Sequence, residues 1–318
     1  MTKYLKLFKT TSQYNEYINS GDAVLPNVSV AKDAPLTVYF NPLPHDYSKD
    51  YLTFVALKDG TFIFSMGEQL TTAAVPEMSY STDNGKTWTT VQNIDNEAVT
   101  VTTPTITKGN KVLWKSNAVQ YCINTDTVNC SFSSTGTYNV EGNIMSLMYG
   151  DDFKGKTSLK TPISSGYGAG SFSNLFNDNP NIISVEHLVL PATTLATYCY
   201  SNMFQDCTSL TLAPELPATT LAGYCYSNMF YGCTSLTTAP ELPATTLAYS
   251  CYNSMFNSCT KLNYIKAMFT TTPSTSYTRD WVKGVAATGT FVKNSAATWN
   301  VTGVNGIPSG WSVTTASA

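Results

Sequence analysis

From Leu190 the chain reads LPATTLATYCYSNMFQDCTSLTLAPE (190–215), and residues 216–241 repeat it as LPATTLAGYCYSNMFYGCTSLTTAPE. Residues 242–267, LPATTLAYSCYNSMFNSCTKLNYIKA, give a third copy. Pro191, Pro217 and Pro243 set the step at 26 residues. Leu195/Leu221/Leu247, Cys199/Cys225/Cys251, Phe204/Phe230/Phe256, Cys207/Cys233/Cys259 and Leu210/Leu236/Leu262 keep it. A looser copy precedes them, from Ser173-Asn-Leu-Phe176 through Val189-Leu190-Pro191, and a more degenerate one runs from Met145-Ser-Leu-Met-Tyr149 to Leu159. The repeat array is therefore expected over residues 145–268.

A step of this length falls within the range of leucine-rich repeats, with one short strand and one helical or 3₁₀ turn per coil. A single coil cannot bury its own apolar edge, so the copies are predicted to stack into a right-handed solenoid of four to five coils. Leu195, Leu221 and Leu247 are expected inside. The Thr-Ser-Leu-Thr-x-Ala-Pro-Glu-Leu-Pro stretch reads as the strand side, broken where Pro214 and Pro240 remove a ladder donor. Cys-Tyr-Ser-Asn-Met-Phe reads as a helical turn that points Cys199, Met203 and Phe204 inward. Invariant positions are apolar or small and are expected to form the inner ladders. Thr197/Gly223/Tyr249, Gln205/Tyr231/Asn257 and Asp206/Gly232/Ser258 vary and are expected to face water.

Charged residues are only 12% of the 318-residue chain, about half the usual ~25%. Apolar residues reach 42%, so a core can form and disorder is excluded. The net charge of −3, with Arg279 as the only arginine, leaves no basic surplus for phosphates, and no nucleic-acid partner is expected. No apolar run approaches the ~18 residues of a membrane span. Lysines at 3, 6 and 9 interrupt any secretory h-region, so no export signal is expected. Residues 1–33 read as a strand (Tyr4 to Phe8) and a short amphipathic helix ended by Gly21, an attachment segment too small for a core of its own. Residues 34–144 alternate strands and turns, as in Leu52–Ala56, Thr61–Ser65 and Val112–Lys115, and predict an antiparallel β-sandwich. Residues 269–318, with a helical piece near Trp281 and a strand at Thr290–Lys293, are placed to cap the array. The expected fold is thus mainly β with short helices: sandwich, solenoid and C-terminal cap.

The Cys-Thr-Ser-Leu and Leu-Pro-x-Thr-Thr-Leu signatures resemble the BspA-like leucine-rich repeats, which abound in surface proteins of gut bacteria and in the phages that infect them. Ser81-Thr-Asp-Asn-Gly-Lys-Thr-Trp88, Gly142-Asn-Ile-Met-Ser-Leu147 and Ile307-Pro-Ser-Gly-Trp311 also resemble segments found beside such repeats. The likeness covers most of residues 34–318. It implies adhesion or protein binding and brings no catalytic residue with it.

Ser81-x-Asp83-x-Gly85-x-Thr87-Trp88 also fits the Asp-box pattern of sialidases, where it stabilises a hairpin away from the active site. One arginine cannot supply the carboxylate-binding cluster a sialidase needs. The six repeat cysteines read as buried thiols acting as small apolar residues, and Cys122 with Cys130 as a more plausible bridge than the ladders. Glu215 and Glu241, one coil apart, read as solvated carboxylates, not a glycosidase pair. His45 and His187 are given no catalytic role, and no metal or cofactor is expected. Tyr198, Tyr224, Tyr231 and Tyr249 are the candidate binding residues, because tyrosine offers contact area at little entropic cost. Tyr200/Tyr226/Tyr252 compete for that face, and the period alone leaves open which file points inward.

The function expected from these features is non-enzymatic: a phage virion protein, of capsid, fibre or tail, that displays the repeats for adhesion. Its partners would be other virion proteins or its own copies through the N-terminal region, and a host-surface protein or glycan. A bacterial cell-surface adhesin is the alternative, and a glycan-active enzyme the third choice.

Overall fold

The computed structural model describes residues 45–66, 77–92, 99–116, 130–159 and 170–316. The expected N-terminal strand and helix, and Cys122, lie outside these residues. Tyr47–Ala318 form one compact unit. It is mainly β, in several small sheets, with a single short α-helix among the described residues.

Strand formation in the first half follows the alternation of side chains. The strands are β1 (Leu52–Ala56), β2 (Phe62–Met66), β3 (Glu77–Ser81), β4 (Thr89–Gln92), β5 (Val99–Thr102), β6 (Lys111–Ser116), β7 (Ser131–Ser134) and β8 (Tyr138–Asn143). In β6, Val112, Trp114 and Ser116 are buried while Lys111 faces water. With β9 (Ile182–Val189), one sheet has the order β4-β3-β6-β1-β8-β9, and a second has β5-β2-β7. All pairs are antiparallel except β8–β9, which is parallel and draws the start of the repeat region into the sheet. Aromatic rings connect the two sheets. Phe54 of β1 meets Phe62 at 5.3 Å and Phe132 of β7 at 4.8 Å, and Trp114 of β6 meets Phe132 at 5.0 Å. Gly142 has φ +84° and lies so close to the Tyr51 carbonyl that a Cβ would sit 2.0 Å from its oxygen, so glycine is required there. The helix α1 (Ser146–Tyr149) follows at once. Ser146 Oγ accepts from the Leu52 N–H and donates to the Trp114 carbonyl, each at 2.9 Å, which pins α1 to the sheet.

The repeats differ from the expected helical turn. Residues 198–207 form no α-helix. The N–H groups of Cys199, Ser201, Met203, Gln205 and Cys207 each bond to a carbonyl three residues back. Those of Tyr198, Asn202, Phe204 and Asp206 instead bond to Gly223, Ser227, Met229 and Tyr231 of the next copy. Copy two binds copy three in the same way, from Tyr224→Tyr249 through Gly232→Asn257. Left-handed φ values at Tyr198, Tyr200, Asn202 and Asp206 accompany the alternation. An α-helix would spend every N–H internally and leave none to join the copies. The inward assignment of Cys199, Met203 and Phe204 holds, since all three are fully buried. In copies one and two the strand side is reduced to isolated bridges such as Ser184↔Leu212 and Thr238↔Tyr264, and only in copy three does it form a strand, Tyr264–Ala267.

Two aromatic files run through the stacked copies. Phe132, Phe176, Phe204, Phe230 and Phe256 follow one another at 5.5–5.8 Å, ending on Trp281 at 6.2 Å. Phe172, Tyr200, Tyr226 and Tyr252 form the second, at 5.9–6.1 Å. The leucine file is less uniform than expected. Leu195 is buried, but Leu221 and Leu247 are only partly covered at the margin of the core.

At the C-terminal side β10 (Tyr264–Ala267), β11 (Thr290–Asn294) and β12 (Ser312–Ala316) form a parallel sheet. The segment around Trp281 is a chain of turns rather than the expected helix. Its carbonyls at Ser276, Tyr277, Arg279, Trp281 and Lys283 accept the N–H groups of copy three, which a helix would have withheld. Trp281 Nε1 donates to Gly306 (2.9 Å) and Trp311 Nε1 to Ala286 (2.7 Å), so the covering layer is itself hydrogen-bonded. Phe230→Ala is expected to lower the stability of Tyr47–Ala318 by about 3–5 kcal/mol, and Leu221→Ala by clearly less, in urea unfolding. Equal losses would contradict the observed ranking of core and margin.

Candidate functional site

The alternating backbone separates tyrosines two residues apart. Tyr200, Tyr226 and Tyr252 point inward and are at most 2% exposed, and burial raises their hydroxyl pKa values. Tyr198 and Tyr224 are half-buried at the surface and Tyr249 is exposed. Tyr198 and Tyr224 stack at 4.6 Å with planes 9° apart, and Tyr249 meets Tyr224 edge-on at 5.4 Å. Tyr249 is 59% exposed. It occupies the repeat position of Thr197 and Gly223, while Ser250 takes that of Tyr224, yet its ring extends the row. Tyr231 is half-buried and stands apart from this row of rings, so three of the four candidate residues come together.

The chemical alternatives fall into place around this edge. Glu215 and Glu241 are exposed, and Glu241 pairs with Lys266 at 2.9 Å. His187 is exposed and stacks on Tyr47 at 4.4 Å. Among the described residues no group of three His, Cys, Asp or Glu side chains is arranged to hold a metal ion. Among them, too, no helix is long and apolar enough to cross a membrane.

The six repeat cysteines are buried free thiols. Cys207, Cys233 and Cys259 donate to the carbonyls of Phe176, Phe204 and Phe230 in the preceding copy, at 3.0–3.1 Å. Their spacing thus serves packing with a weak donor. Burial pushes the Cys207 and Cys251 thiols up to about 12, far from a reactive thiolate.

The Asp-box turn folds as a hairpin closure. Asp83 accepts from the Thr87 N–H (2.9 Å), the Thr87 hydroxyl (2.7 Å) and the Ser81 hydroxyl (2.8 Å). Asn84 and Gly85 take φ values of 60° and 82°. These hydrogen bonds, chiefly from Thr87, hold the Asp83 carboxyl down at about 2. Beside the turn lies a cluster that the sequence reading did not identify. Lys115 Nζ sits 4.2 Å from the Trp88 ring centroid and makes 2.8 and 2.9 Å contacts to Asp151, which also accepts from Tyr51 Oη at 2.6 Å. Burial, followed by the bond to Asp151, raises Tyr51 to about 12. The partners in this cluster are 27 to 100 residues apart, so no local pattern announces it. Both charges of the cluster are mutually engaged, and it ties hairpin, β6 and the segment after α1 together.

Asp83 is ionised at a lower pH in the folded than in the unfolded chain, whose Asp titrates near ~3.9. Its contribution is therefore complete above about pH 4 and lost as pH falls toward 2. Asp83→Ala should lower the melting temperature at pH 7 and flatten the acid limb between those values. Mass-spectrometric mapping after iodoacetamide at pH 8 should find the six repeat cysteines unlabelled in the folded protein and labelled in urea.

No family model, curated protein or solved structure matches this chain.

Proposed function

We propose that this chain is a non-enzymatic phage virion protein that displays a leucine-rich-repeat solenoid, of BspA-like kind, for adhesion. In this reading a β-sandwich over residues 34–144 holds the first coil, residues 145–268 form the solenoid, and residues 269–318 cap it. The observation that carries the binding role is the surface row Tyr198, Tyr224 and Tyr249, lying outside a core of invariant apolar residues. Aromatic edges with hydroxyl tips suit recognition of a host-surface protein or glycan. The low charge and the resemblance to repeats in phage and bacterial surface proteins support exposure outside a cell.

Residues 1–33 are the proposed attachment to the particle or to further copies of the chain. Mass spectrometry of gradient-purified virions should detect the protein, and removal of residues 1–33 should abolish incorporation while leaving the thermal transition of Tyr47–Ala318 intact. Tyr224→Ala with Tyr249→Ala should reduce adsorption to host cells. Virions that never contain the chain, with the protein recovered from bacterial surfaces instead, would establish the adhesin reading.

A further inference from the structure

Each copy contains one polar pair that neither varies nor turns inward. Thr193-Thr194, Thr219-Thr220 and Thr245-Thr246 are identical in all three copies, and all six residues are exposed. Nearby exposed positions have drifted: 197, 223 and 249 carry Thr, Gly and Tyr. Local bonding does not explain the retention, because among the described residues none of the six side-chain hydroxyls makes a hydrogen bond. The backbone keeps them in file. Thr219 N–H donates to Thr193 O at 3.0 Å, and Leu195 N–H donates to Thr220 O at 2.9 Å. The pairs of copies one and two therefore lie one strand spacing apart, about 4.8 Å, and the third follows one repeat later. The file closes after copy three, where Thr270 Oγ1 bonds to Thr245 O and Thr271 Oγ1 accepts from Leu247 N–H.

The surface from this file to the tyrosine row has a definite chemistry. Residues 192–198, 218–224 and 244–250 contain no Asp, Glu, Lys or Arg. Between hydroxyls and phenols lie the partly covered Leu221 and Leu247. The face repeats threonine, aliphatic margin and tyrosine or its neighbour along the stacking direction.

Resting on the reading of the tyrosine row as a binding face, we propose that the threonine file and the tyrosine row together bind an extended, neutral polysaccharide running along the stack. Repeated hydroxyls match a ligand whose own hydroxyls repeat, and an extended β-linked glycan advances by about one strand spacing per sugar. Partly covered leucine and aromatic edges suit the apolar C–H faces of sugar rings. With no charge on the strip, an acidic polymer gains nothing there, and a peptide of varied side chains does not profit from identical donors.

The test is native affinity electrophoresis of the full chain in gels containing barley mixed-linkage β-glucan, xylan or galactomannan, with polygalacturonate as the charged control. At least one neutral polymer should retard the protein. Thr194→Val with Thr220→Val and Thr246→Val, which keeps β-branching and removes three hydroxyls, should weaken retardation about tenfold or more while the thermal melt is unchanged. Undiminished retardation of the valine variant, retardation by polygalacturonate alone, or none by any neutral polymer overturns the proposal. Host-cell adsorption separates the two readings. If Tyr249→Ala abolishes it and the valine variant does not, or if protease treatment of the cells abolishes it, the polysaccharide falls and the binding face stands. If neither variant affects adsorption, both fall.

Discussion

The division of backbone N–H groups within each copy is the constraint from which the repeat region follows. Alternate residues close tight turns, and the residues between them reach a neighbouring coil, the next one in every case but Tyr200, whose N–H bonds back to Ser171. Left-handed φ at every second or fourth position makes this possible, at a cost of about 1–2 kcal/mol per non-glycine residue. Asn202, Asn228, Asp178 and Asp206 tolerate that conformation best, and Gly232 without strain. The stacking of buried rings across every junction offsets the rest.

The same stacking explains how the sheet and the repeats share a core. Phe132 of β7 begins the phenylalanine file on Phe176, and β9 hydrogen-bonds beside β8. At the other end Trp281 covers both files, and its indole N–H is satisfied by Gly306. Ends of a stacked array expose unpaired backbone and apolar rings, and here each end is closed by aromatic side chains.

Much of this was legible because repetition supplies its own comparison. Cys199, Met203, Phe204 and Leu210 stay apolar in each copy and are all buried. The rule that invariance means burial failed at Thr193 and Thr194, which are invariant and exposed. An invariant polar residue needs a reason other than packing. The helical turn was misread because apolar residues spaced four and five apart suit a helix, and the same spacing also suits turns alternating with links to a neighbour. The Lys115, Trp88, Tyr51 and Asp151 cluster joins elements distant in sequence.

By itself the sequence determined the 26-residue step, the burial of the cysteine, methionine and phenylalanine ladders and the strand alternation of the first half. These depend on periodicity and hydrophobicity, which are properties of the chain alone. Only the tertiary structure decided that Tyr198 stays partly exposed while Tyr200 is buried, and that Leu221 lies at the margin whereas Leu195 is covered. Tyr198 and Tyr200 share left-handed φ values of 59° and 58° and differ instead in the copy their N–H groups reach, Gly223 of the next for Tyr198 and Ser171 before the first for Tyr200. Those links join residues of different copies, so no local propensity of the two tyrosines encodes them.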